Sequence, residues 1–297
     1  RRRRNGDAMD RRLEFVKMQG CGNDYIFIDC LDAPVPDPSY LAIKLSDRHF
    51  GIGGDGAVFI CPSDKADAKM RMFNRDGSEG LMCGNAVRCV GKYLYDVRGV
   101  RRGQITVETL AGVRALDMIT RGGIATGARV MMGKAEFAPQ NIPVLLTGES
   151  VIGRRVTVGG AGYTVTCVSV GNPHCVVFCN DPDALDLEAV GPEFENSPLF
   201  PERVNTEFVR AEPDGSLYMR VWERGSGETL ACGTGACAAA AAAVENGFCP
   251  RGEDIPVHLR GGTLTVRYDA DGTLFMTGDA VEVFRGSIDT DAPRRRA

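Results

Sequence analysis

The chain has 297 residues, of which 43% are hydrophobic and 25% charged, and a formal net charge of −4; these are the proportions of a globular protein with two domains or one large one. No apolar run reaches the roughly 18 to 20 residues of a membrane span, and an acidic body lacks the Lys/Arg surplus that neutralises phosphates, so membrane insertion and nucleic-acid binding are both set aside. The eleven cysteines are odd in number and form no C-x-x-C, which argues for reduced thiols in the cytoplasm rather than a disulfide framework.

In chain order, the arginine runs at both ends read as solvated tails, with residues 1–12 and 291–297 expected to be disordered. Compact or alternating apolar segments then predict strands at LEFVKM, YIFIDC, AVFICP and KMRMFN. A helix is expected after Cys83 in CGNAVRCVGKYLYD, followed by strands at QITVETL, VRALDMI and ARVMMG. The second half repeats the theme with RRVTVGG, YTVTCVSV, HCVVFC, TEFVRA and LYMRVWE, then a helix after Cys232 in CGTGACAAAAAAVENG, capped at Gly247. Strands at IPVHLR, LTVRYD, LFMTG and AVEVFRG close the chain.

The two halves are copies. At a spacing of 149, FNRDGSEGLMCG from Phe73 falls on WERGSGETLACG from Trp222, GNDYIF from Gly22 on GNPHCV from Gly171, and GAVFI from Gly56 on NTEFV from Asn205. Several landmarks in one register point to a duplicated unit, and two copies packed about a pseudo-twofold axis set equivalent residues face to face. Cys83 and Cys232 would then confront one another. An alanine-rich helix is apolar all round and therefore buried. The expected fold is α+β, with two pseudo-symmetric domains, each a curved, largely antiparallel sheet wrapped around a central helix. The units are expected at 13–130, joined by a returning strand at 279–290, and at 131–278.

A thiol at a helix start sits among unbonded amide N–H groups and the positive end of the helix dipole, which favour its thiolate. The same amides bind carboxylates. Two such starts facing each other suit the removal of an amino acid's α-proton by one thiolate, with charge spreading onto the bound carboxylate, and return of a proton by the opposed thiol. That is inversion at Cα without a cofactor. The remaining cysteines, including Cys30, Cys61, Cys89, Cys167, Cys179, Cys237 and Cys249, read as packing residues. The cysteine spacings and the three histidines fit no zinc site.

These motifs, with KMQGCGNDYIFID, DRHFGIGGDG and ERVNTEFV, resemble the diaminopimelate epimerases from about Leu13 to Ile288. The resemblance implies LL- to meso-diaminopimelate epimerisation for lysine and peptidoglycan synthesis, with Cys83 and Cys232 as acid/base pair and His174 and Glu223 as auxiliary or orienting groups. It further implies substrate contacts from Asn23, Asn74, Gly84, Asn85, Asn172, Asn205, Glu223, Arg224, Gly233 and Thr234, no cofactor or metal, the same β-wrapped-helix fold and a homodimer. Arg75 repeats Arg224 in sequence and is expected to be structural or superficial. Departures stand at Gln19 and Ala86, where the family often has His and Gly, and at Gly56, where some members carry Gln. Two other readings stay open: a racemase of this fold with another amino-acid substrate, and a non-catalytic amino-acid-binding or thiol-redox protein.

Overall fold

The computed structural model describes residues 12–290. The expected disordered tails fall outside that range, except at Arg12, which pairs with Asp289 and opens the first strand. The first half runs β1 (Arg12–Gly20), β2 (Asn23–Asp29), α1 (Pro38–Ser46), β3 (Gly56–Cys61), β4 (Ala68–Asn74), β5 (Glu79–Gly80), α2 (Gly84–Asp96), β6 (Gln104–Thr109), β7 (Gly112–Arg121) and β8 (Ile124–Lys134). The second half runs β9 (Arg154–Val158), β10 (Ala161–Ser169), β11 (Pro173–Phe178), α3 (Leu187–Glu195), β12 (Asn205–Ala211), β13 (Leu217–Glu223), β14 (Gly227–Thr229), α4 (Gly233–Glu245), β15 (Asp254–Leu259), β16 (Gly262–Tyr268), β17 (Thr273–Asp279) and β18 (Val281–Asp289). Every strand expected from the sequence is present.

The strands form one continuous ribbon. It passes from β9 through β10, β11, β12, β13, β15 and β16 to β17, crosses to β8, and continues through β7, β6, β4, β3 and β2 to β1 and β18. Neighbours are antiparallel except at β2–β3, β4–β6, β11–β12 and β13–β15. The returning strand β18 pairs antiparallel with β1. The expected division at 130/131 falls inside β8, which pairs with β7 on one side and β17 on the other.

Strand register carries the duplication. Tyr25 lies opposite Gly56, and His174 opposite Asn205. Ala57 faces Phe73 as Thr206 faces Trp222, and Phe73 faces Glu79 as Trp222 faces Glu228. Beyond the central helices the spacing becomes 150, with Thr109 opposite Gly112 and Leu259 opposite Gly262.

Each half winds around its own helix. Ala236 to Ala243 of α4 are all buried, because side chains of one methyl let the surrounding strands close in on the helix backbone. The helix stops in a Schellman motif: Gly247 takes φ +77°, its N–H bonds Val244 O, and the Phe248 N–H bonds Ala243 O. α2 is equally enclosed, and a Cβ at Gly91 would lie 2.9 Å from Leu116 Cδ2.

Two helices on the outer faces were not anticipated. α1 is short, but its start is signalled by Asp37, whose carboxylate accepts the Tyr40 N–H at 3.1 Å, followed by Pro38. It covers Ile26, Ile28 and Phe59. α3 contains Pro192, a breaker by sequence, yet seats Phe194 edge-on against Phe208 with centroids 5.7 Å apart.

Candidate active site

Cys83 and Cys232 are the N-cap residues of α2 and α4, both in extended backbone, at φ −132° and −123°. The first amides to bond back along each helix belong to Val87 and Ala236, which donate to the cysteine carbonyls at 2.9 Å. The N–H groups of Gly84, Asn85, Gly233 and Thr234 therefore lie in the unbonded first turn. The two starts meet directly: a Cβ built on Gly233 would stand 3.8 Å from Gly84 Cα. Met276 is wedged beside them, 2.4 Å from a Cβ on Gly84 and 3.1 Å from one on Gly233. Glycine at both positions leaves Met276 its seat beside the helix starts.

On the first half, the Cys83 thiol donates to Asn23 Oδ1 at 3.4 Å, and Asn85 Nδ2 donates to the same oxygen at 3.4 Å. Asn23 cannot turn freely, because its Nδ2 is held by Asp55 at 2.8 Å. Asn85 is fixed in turn by the fully buried Arg88, which donates to its Oδ1 at 2.9 Å and to Asp279 O at 2.9 Å. Burial pushes the Cys83 thiol above its ordinary range; amides of Ala86 and Asn85 and the Tyr25 hydroxyl oppose this, and Glu223 adds to it.

The second half is more acidic. Cys232 Sγ accepts the Gly235 N–H at 3.3 Å and lies 3.6 Å from Thr234 Oγ1. Burial pushes this thiol well up, and the charges of Glu223 and Glu207 push the same way. Glu223 is itself raised by burial, against bonds from Thr229 and Cys232. Acting on both thiols, it ties the two halves into one site. His174 is fully buried, with Nδ1 2.7 Å from Glu207 Oε1 and Nε2 3.0 Å from Asn172 Oδ1. Asn172 Nδ2 reaches Thr234 Oγ1 at 3.3 Å.

Of the remaining expected residues, Asn205 has both amide atoms engaged, donating to Pro173 O and accepting the Arg224 N–H, each at 2.9 Å. It clasps the turn that carries Arg224, whose guanidinium donates to Glu202 O at 2.9 Å. Asn74 is exposed and donates to Ser78 Oγ at 3.0 Å, and Arg75 is exposed, as expected of a superficial residue.

Sequence reasoning passed over three residues that touch this cluster. Asp55 orients Asn23. Glu207, buried with His174, orients that ring, and its Oε2 has no hydrogen-bond partner. Tyr25 is buried, and burial first, then the Cys83 thiol, hold its hydroxyl well above the ordinary phenol range. The repeat held the signal for Tyr25, which stands at the spacing of 149 from His174. Glu207 repeats Val58, so no symmetry argument pointed to it.

Solved structures share this architecture at low identity. A hydroxyproline epimerase from Agrobacterium vitis superposes with TM-score 0.67 at 15% identity, covering 96% of this chain and 94% of that one. A methylitaconate delta-isomerase does so with TM-score 0.65 at 17% identity, over 96% and 98%. The fold is thus that of the duplicated β-wrapped-helix epimerases and isomerases, here with a cysteine at each helix start. Within this class the sequence model described as diaminopimelate epimerase matches residues 15–138 and 166–283. A diaminopimelate epimerase of Desulfovibrio desulfuricans is 52% identical over 92% of this chain and 97% of its own length. That of Acetivibrio thermocellus is 50% identical over 93% and 99%, and one from Methanococcus maripaludis 47% identical over 93% and 100%. The chain belongs to the diaminopimelate epimerase family.

Proposed function

We propose that the protein epimerises LL-2,6-diaminopimelate to meso-diaminopimelate by a two-base mechanism that needs no cofactor. The observation that carries this reading is the meeting of two cysteine-capped helix starts at Gly84 and Gly233, with Glu223 acting on both thiols. The reacting carboxylate is received by the first-turn amides of Gly84, Asn85, Gly233 and Thr234, which stabilise the charge that develops when the α-proton leaves. One cysteine takes that proton as thiolate; the other, as thiol, delivers its own to the opposite face of Cα. Each turnover exchanges the protonation states of Cys83 and Cys232, as a reversible reaction between two isomers requires.

Around this centre His174 and Glu223 orient the reacting amino group and assist proton handling. Asn23, Asn74 and Asn172 hold the rest of the substrate, and Arg224 takes the distal carboxylate. Asn205 contributes by fixing the Arg224 backbone. The working units are 13–130 with 279–290, and 131–278. Among the described residues no helix is long and apolar enough to cross a membrane. A homodimer in the cytoplasm completes the reading, and sedimentation velocity checks the dimer.

The test is proton NMR of LL-diaminopimelate with reduced protein in D₂O. Loss of the α-proton signal with appearance of the meso isomer is the expected result, the meso isomer no longer appearing with Cys83→Ala or Cys232→Ala. Epimerisation that survives either substitution overturns the two-base reading, whereas exchange with retention on one isomer is what the single remaining base can still carry out.

A further inference from the structure

We propose that Arg88 is a positioning residue for the reacting carboxylate: its buried guanidinium aims and polarises the Asn85 donors and lends an unpaired positive charge to an anion held at the two helix starts. This rests on the reading of the first-turn amides as the carboxylate's receivers. Arg88 is fully buried, and among the described residues none of its hydrogen bonds goes to a charged group. Nε donates to Asp279 O at 2.9 Å, Nη1 to Gly84 O at 3.1 Å and Nη2 to Asn85 Oδ1 at 2.9 Å, with Met276 Sδ 3.9 Å from Nη1. A guanidinium keeps its charge at every working pH, and burying one without a counter-charge is costly. The fold nonetheless leaves it room: a Cβ on Gly20 would stand 2.9 Å from Nη2, and one on Gly278 2.7 Å from Cζ. An apolar side chain would fill that space without the cost, so the charge calls for a use.

The hydrogen bonds say where the charge acts. Gly84 O belongs to the same peptide unit as the Asn85 N–H, one of the free first-turn donors, so a charged donor on that oxygen strengthens the N–H at the other end. The bond to Asn85 Oδ1 does the same for Asn85 Nδ2, which donates to Asn23 Oδ1 at 3.4 Å beside the Cys83 thiol. The charge also reaches the second half. Met276, beside Nη1, is the side chain lodged next to both Gly84 and Gly233, and Arg88 opposes the effect of burial on Cys89 of α2 and on Cys237 of α4 alike. Cys237 stands at the spacing of 149 from Arg88, so a single guanidinium, without a copy in the repeat, serves both helix starts. A carboxylate bound there supplies the missing negative charge, and the further charge that develops as the α-proton leaves meets the same cation.

The test compares Arg88→Gln, which keeps an amide donor and removes the charge, with Arg88→Lys, which keeps the charge and removes the fork; Arg88→Met repeats the neutral arm if the glutamine variant does not fold. Substrate-free protein is alkylated with iodoacetate or with iodoacetamide, reagents of nearly one shape that differ by a carboxylate, and the Cys83 rates are read by peptide mass spectrometry. Both reagents meet the same thiolate, so the ratio of rates is blind to the thiol's titration and to a loss of stability that leaves the protein folded. Measured against 2-mercaptoethanol as a free thiol, wild type is expected to favour iodoacetate about 10-fold, the neutral variant to lose that preference, and Arg88→Lys to keep it within about twofold. In turnover the neutral variant raises KM and lowers kcat, each about 10-fold, since the carboxylate is anionic when it binds and gains charge in the transition state. An iodoacetate preference undiminished in the neutral variant, or lost equally in Arg88→Lys, overturns the proposal. A wild type with no iodoacetate preference instead overturns the reading of the helix starts as carboxylate receivers.

Discussion

The two halves share a skeleton and differ in charge. Asn23 and Asn172 stand at equivalent positions, as do the bidentate pairs Arg71–Glu79 and Arg220–Glu228 and the capping cysteines. Where the first half has Tyr25, Val58 and Asn74, the second has His174, Glu207 and Glu223. On the proposed two-base reading, the frame is symmetric because both thiols must reach one carbon from opposite faces. The charges are not, because a substrate carrying a second amino-acid end needs groups on one side that the other side must not offer. Duplication supplied the frame, and divergence on one copy supplied the recognition.

The largest effect comes from breaking the symmetric element. If the cysteines are the acid/base pair as proposed, Cys83→Ala and Cys232→Ala each lower epimerisation by about three orders of magnitude. Early in the wild-type reaction in D₂O, the product carries deuterium at Cα while unreacted substrate does not, because the proton removed and the proton delivered sit on different thiols. Deuterium appearing equally early in recovered substrate would mean a single base.

The paired arginines come next, and they separate frame from environment. Arg220 is 7% exposed and donates to both Glu228 oxygens and to the carbonyls of Pro182 and Leu185. Arg71 makes the bidentate pair and lies over the Phe73 ring, 5.0 Å from its centroid, with its side chain 37% exposed. Arg220→Met leaves Glu228 without this partner and strands two carbonyls, costing about 3 kcal/mol in denaturant unfolding. Arg71→Met costs under about 1 kcal/mol, since solvent screens that pair. Equal losses would show that the two halves fold as one frame in which local burial is irrelevant. Between these two losses lies Arg224→Ala, which on the proposed reading of Arg224 as partner of the distal carboxylate is expected to raise KM for diaminopimelate about 10- to 100-fold through one charge-assisted contact, with little change for Arg75→Ala at the equivalent exposed site.

Much of this was legible in the sequence, and the limits have physical causes. The strands were readable because each has a buried face or two, and the duplication because Cys-Gly, Gly-Asn and the aromatic pair survive in register. α1 and α3 escaped because nine residues give little periodicity and Pro192 reads as a stop. The pairing of Cys83 with Cys232 followed from symmetry; Tyr25 and Glu207 did not, since a tyrosine and a glutamate within apolar strands look like a core ring and an outward charge. The fold places Glu207 against His174 and beside the Gly235 turn next to Cys232, and Tyr25 buried at the position equivalent to His174. Asn205, expected to meet substrate, also gives one amide hydrogen to Pro173 and one oxygen lone pair to the Arg224 N–H, keeping its second hydrogen and lone pair, a local commitment that residue type alone does not reveal.

Glu207 offers the finest test of the asymmetry. Its carboxyl is raised above the ordinary carboxylate value, chiefly by burial, with the His174 contact opposing. A raised folded pKa means that the folded chain holds this proton more tightly than the unfolded one. The stability tied to Glu207 is therefore complete below the unfolded value of about 4.3 and is lost as pH rises through the folded value. Glu207→Gln keeps an oxygen for His174 Nδ1 while removing the charge that burial disfavours. The variant should melt a few degrees above wild type at neutral pH, about 1 kcal/mol, with the difference closing below about pH 4. Its turnover should fall several-fold, since His174 keeps its orientation but Cys232 loses a neighbouring charge. A variant less stable than wild type at neutral pH would mean that the His174 contact outweighs burial, and that the second half gains stability, as well as function, from its extra charge.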